Sequence, residues 1–135
     1  MRQRDRDEVW ATLHATPEQA LRLSVQNSPH AWAARDRDGT FALWGVAATS
    51  RTAPVGIPWL LGADRLVGKY RRQFLAQSIE YIKTMLVLHP ILTNYVDARN
   101  TESVRWLRWC GFTFGPATPW GVDQLPFYKF ELRSV

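Results

Sequence analysis

The period of the apolar residues changes several times along this chain, and those changes restrict its fold more than any other feature. Thr16-Pro17-Glu18-Gln19 opens a helix: Thr16 can cap it, Pro17 suits its first position, and Gln19 completes a capping box. Asn27-Ser28-Pro29 stops that helix near Gln26. From His30 the spacing becomes extended. Residues 31–34 and 41–46 flank Asp38-Gly39, a strong hairpin signal. Residues 55–61 form a third run in which Pro58 cannot donate to a ladder, so this strand lies at an edge, carries a bulge or has lost a partner there. Helical spacing returns over residues 69–88, where Phe74, Leu75, Ile79, Ile82, Met85 and Leu86 make one face.

His89-Pro90 ends the long helix, and residues 92–96 read as extended again. Asn100 or Thr101 caps a short helix to about Cys110, with Gly111 at the left-handed position that follows such a helix. Residues 112–114 and 125–132 are a last pair of strands around a Pro/Gly-rich loop, 115–126. An amphipathic helix carrying Val9, Trp10 and Leu13 opens the chain. The order α-α-β-β-β-α-β-α-β-β predicts one α/β domain over residues 1–135 with a mixed sheet.

Composition narrows the function classes. With 46% hydrophobic residues in 135 the chain can bury a core, and its single cysteine excludes a disulfide scaffold. No apolar run approaches the roughly 18 residues of a membrane span, and the first ten residues are too charged for a signal peptide. The expectation is a soluble, intracellular domain. The charge of +5 permits an anionic partner without naming one. His14, His30 and His89 are isolated and predict no metal site. Cys110 has no neighbouring histidine and reads as an inert thiol. No nucleophile elbow, Walker loop or dinucleotide fingerprint is present.

The segment from Tyr95 through Val96, Asn100, Ser103, Trp106 and Gly111-Phe112 resembles the GNAT acyltransferase superfamily, as does the element order. More narrowly, the Trp-rich blocks 55–61 and 94–112 are similar to GNAT-like proteins of short-tailed phages, including internal virion protein A. The resemblance implies a GNAT-like mixed central sheet of about six to seven strands with about four helices. It implies an acyl-CoA site in which backbone N–H groups at the start of the central helix hold the pyrophosphate. The matching stretch is Arg65-Leu66-Val67-Gly68-Lys69-Tyr70, so Arg65, Val67, Gly68, Lys69, Tyr70 and Asn100 are the candidate cofactor-binding residues. Tyr70 departs from the family pattern, standing where a Gly or Ala lets phosphates approach. The position of the family's thiolate-protonating Tyr is Leu107, which cannot move a proton, and residues 40–61 hold no carboxylate to act as base. No catalytic residue is therefore assigned. The implied cofactor is acetyl-CoA or CoA, and the residues assure none.

Two further groups bear on partners. Arg65, Lys69, Arg71 and Arg72 form the densest basic run, placed where cations are unfavourable unless an anion sits there. Nucleic-acid binding through this run is the weaker expectation, because +5 is a small charge for it. Trp106, Trp109, Val104, Leu107 and Cys110 cannot all face one core from a ten-residue helix, so Trp106 and Trp109 are candidate partner contacts. Trp120, in the predicted loop, is a third. The expected function is a phage virion or assembly component without robust catalysis, in the virion and host cytoplasm, contacting other phage structural proteins or itself. The alternative is an acetyl-CoA-dependent N-acetyltransferase.

Overall fold

A computed structural model describes Gln3, Arg6, Asp7 and residues 16–134. The expected helix around Val9, Trp10 and Leu13 lies outside the described residues. Helix α1, Pro17–Gln26, opens on the expected capping box: Gln19 N–H donates to Thr16 Oγ1 at 3.2 Å, and Thr16 N–H to Gln19 Oε1 at 2.9 Å. Strands β1 (His30–Asp36) and β2 (Gly39–Ala47) form the hairpin, with Gly39 at φ 109°, where a Cβ would be strained. Strand β3 is Val55–Gly62.

The long helix begins later than its periodicity predicts. A short turn, α2 (Asp64–Val67), comes first, and α3 runs Arg71–Leu88. Between them the chain breaks at Gly68, whose φ of −96° and ψ of −92° are not helical. Strand β4 is Ile91–Asp97 and α4 is Thr101–Trp109, closed by Gly111 at φ 102°. Strand β5, Thr113–Trp120, corrects the sequence expectation, since most of the predicted loop is strand. Its ladder to β6 (Leu125–Arg133) slips between Phe114 and Ala117 and then resumes. As an edge strand β5 tolerates Pro116 and Pro119, which read as loop in the sequence alone.

The six strands form one sheet in the order β1-β2-β3-β4-β6-β5, and the described residues carry four helices. Every pairing is antiparallel except β3 with β4. Ile82 and Met85 of α3 and Leu107 of α4 pack with Val46, Leu92, Val96 and Phe130, which makes the core. Strand alternation turns Trp59 to the opposite face, where its Nε1 donates to Ser28 Oγ at 2.8 Å beside α1. Among the described residues no helix is long and apolar enough to cross a membrane.

Candidate functional site

The parallel strands β3 and β4 pair only at Val55 with Ile91 and Gly56 with Leu92, and then part. The cause lies in two residues. Pro58 has no N–H to offer β4. Asn94 then stands between the strands: its Nδ2 donates to Pro58 O at 2.7 Å, while Tyr95 N–H donates to its Oδ1 at 2.7 Å. A side-chain amide thus replaces a direct ladder bond and holds the sheet open. Sequence reasoning anticipated a defect at Pro58 but missed Asn94; a polar residue inside the apolar run 92–96 was the available signal.

Behind the opening lies a cavity of about 340 Å³ that reaches from α1, at Leu23, to α3 and α4. Trp44, Trp59, Tyr81 and Trp106 help to line it, as do Asn94, Ser103 and Leu107. Leu107 is 7% exposed, so the position from which a proton donor would act is an apolar part of the core. Cys110 is half-buried, and burial pushes its thiol up to about 12, which leaves it inert at neutral pH.

The start of α3 is the second part of the site. Tyr70 occupies the N-cap without a side-chain cap bond, and the first turn holds no acidic residue. Gly68, Lys69, Tyr70, Arg71, Arg72 and Gln73 line a surface concavity there. Arg65 and Tyr70, however, turn towards the β1–β2 hairpin. Arg65 Nε and Nη2 donate to the two Asp36 carboxylate oxygens at 3.0 and 3.1 Å, and Nη2 also reaches Gly39 O at 3.2 Å. Tyr70 OH donates to Asp36 Oδ2 at 2.9 Å, and its ring stacks on Phe41 at 4.2 Å. Burial alone would raise the Asp36 carboxyl; the bonds from Arg65, Tyr70 and the Asp38 N–H, with the Arg65 charge, outweigh it and hold the group below its ordinary value. Lys69, Arg71 and Arg72 are the exposed cations left at the helix start. Val67 is half-buried.

The remaining candidates separate. Asn100 is 3% exposed and caps α4, accepting from Ser103 N–H at 3.4 Å; it is not among the residues lining the cavity. Trp106 turns inward against Phe74, with ring centroids 5.1 Å apart, and donates to Ser78 Oγ at 3.3 Å. Trp106, expected as a partner contact, is thus half-buried and engaged with α3. Trp109, 55% exposed, is the ring that α4 leaves outside. Trp120 lies at the end of β5, not in a loop, stacked on Tyr95 at 3.7 Å and still 38% exposed. No group of three or more potential metal ligands occurs among the described residues.

Comparison with solved structures identifies the fold. The spermidine N-acetyltransferase of Vibrio cholerae, solved with CoA and spermine, is similar at 17% identity and a TM-score of 0.61, over 86% of this chain and 74% of that one. A GNAT-family acetyltransferase of Streptococcus pneumoniae is similar at 16% identity and a TM-score of 0.63, over 90% and 78%. The ribosomal-protein-alanine N-acetyltransferase of Brucella melitensis aligns at 17% identity and a TM-score of 0.61, over 87% and 76%. The chain therefore has the GNAT fold. Residues 59–117, less than half of the chain, match the family described as "Bacteriophage T7, probable scaffold protein Gp13". No curated protein matches the sequence.

Proposed function

We propose that residues 1–135 act as one GNAT-like domain that works in bacteriophage particle assembly, as a virion or scaffold-associated component, without robust acyl transfer. The observation that carries this reading is the match of residues 59–117 to the phage scaffold family. That segment contains the parent fold's working parts, and several are committed elsewhere. Arg65 and Tyr70 are bound to Asp36, and Leu107 is core. Trp109 is the candidate contact with other particle proteins or a second copy.

The test is made in the phage that encodes the chain. Purified particles and their precursors should contain it by peptide mass spectrometry, and deleting its gene should lower the yield of infectious particles at least tenfold. Absence from both, with an unchanged yield, would overturn the reading.

A second reading is favoured by one observation, the uncapped start of α3 with Lys69, Arg71 and Arg72 around it. In that reading the chain is an acetyl-CoA-dependent N-acetyltransferase. The N–H groups of the first turn and these cations would hold the cofactor's phosphates. A Cβ at Gly68 would meet only Asp64 O at 3.5 Å and Arg65 Cα at 4.0 Å, so Gly68→Trp starts its side chain in open space at the concavity, and circular dichroism checks that the variant is folded. Calorimetry with acetyl-CoA should show no single-site micromolar binding. Such binding, lost in Gly68→Trp, would establish the second reading instead.

A further inference from the structure

We propose that the cavity between β3 and β4 is a binding site for an uncharged, largely apolar small molecule. None of the described residues that line it is charged, although charged residues make up 21% of the chain. A cationic or anionic ligand inside it would lose its water and gain no opposite charge. Several polar groups of the wall are bonded within the chain: Trp59 Nε1 to Ser28, Trp106 Nε1 to Ser78, and the Asn94 amide to Pro58 and Tyr95. What the wall offers is mainly apolar and aromatic surface, with the buried Trp44 Nε1–H as a donor that has no partner among the described residues.

The size indicates the ligand. A dry cavity of about 150 Å³ takes up benzene, and this one holds about 340 Å³. A fused-ring aromatic or a medium-length alkyl chain is on that scale. Collapse is opposed by the Asn94 amide, which keeps the strands apart. The same wall offers no carboxylate among its described residues to hold a polyamine such as the spermine of the Vibrio cholerae structure. The site therefore differs in ligand class from that neighbour, and it stands whether or not the chain is found in particles.

The probe is the neutral dye N-phenyl-1-naphthylamine, read by energy transfer from the tryptophans that line the cavity. One saturable site in the micromolar range is expected, with the dye displaced by 1-decanol and not by spermidine or acetyl-CoA. Ala34→Trp and Ser103→Trp fill the cavity from different walls, β1 and α4. Each should weaken dye binding at least tenfold, with circular dichroism used to select the variants that remain folded. Non-saturating uptake, displacement by micromolar acetyl-CoA or spermidine, or full binding in a folded filled variant would overturn the proposal.

Discussion

Asp36 ties together two of the candidate binding residues. It accepts from Arg65, from Tyr70 and from the Asp38 N–H at 2.9 Å, so both side chains are held against the hairpin. Because these bonds favour the ionised form, the folded-state pKa lies below the unfolded one. The resulting stability is present above the ordinary carboxylate value of 3.8 and is lost as pH falls through the folded value. Asp36→Asn should therefore lower Tm by a few degrees at pH 7, and the gap to the wild type should close only below that value. A gap that persists unchanged to pH 2 would show that the loss comes from packing. Leu107 permits a second test. Leu107→Tyr restores a phenol at the position where the fold family supplies its proton donor, but this site is core. Leu107 also lines the cavity, so the larger ring has room; the variant should lose less than about 1.5 kcal/mol and gain no transfer activity in a thiol-release assay with acetyl-CoA.

At the scale of elements, α3 carries the clearest electrostatic conflict. Arg71 and Arg72 occupy its first turn, at the positive end of the helix dipole, with no acidic residue to offset them. Arg71→Glu and Arg72→Glu should each raise stability by about 0.3–1 kcal/mol at low ionic strength, read from urea midpoints. A lower midpoint would mean that the cations pair with something the free helix end does not explain. The elements legible in the sequence are those whose signals are local. The Thr16 capping box, the Asp38-Gly39 turn and the Asn100 cap each act over a few residues. Strand β5 was hidden because Gly115, Pro116 and Pro119 read as loop until β6 supplies their ladder. The candidate site was only half legible. The basic run stood out, but Arg65 finds Asp36 from 29 positions away, and Asn94 matters because it meets Pro58 from 36 away.

At the scale of the whole molecule, the sheet consists of two three-stranded ladders, β1-β2-β3 and β4-β6-β5, joined by two residue pairs and one side-chain amide. Local stability follows such boundaries. Amide exchange should therefore divide the strands into two groups with separate protection levels, and Asn94→Ala should widen the difference. A single level shared by all six strands would contradict this division. The packing does not stop at this seam: Val46 of the first ladder shares one core with Leu92, Val96 and Phe130 of the second, so side chains join the two halves where the backbone does not.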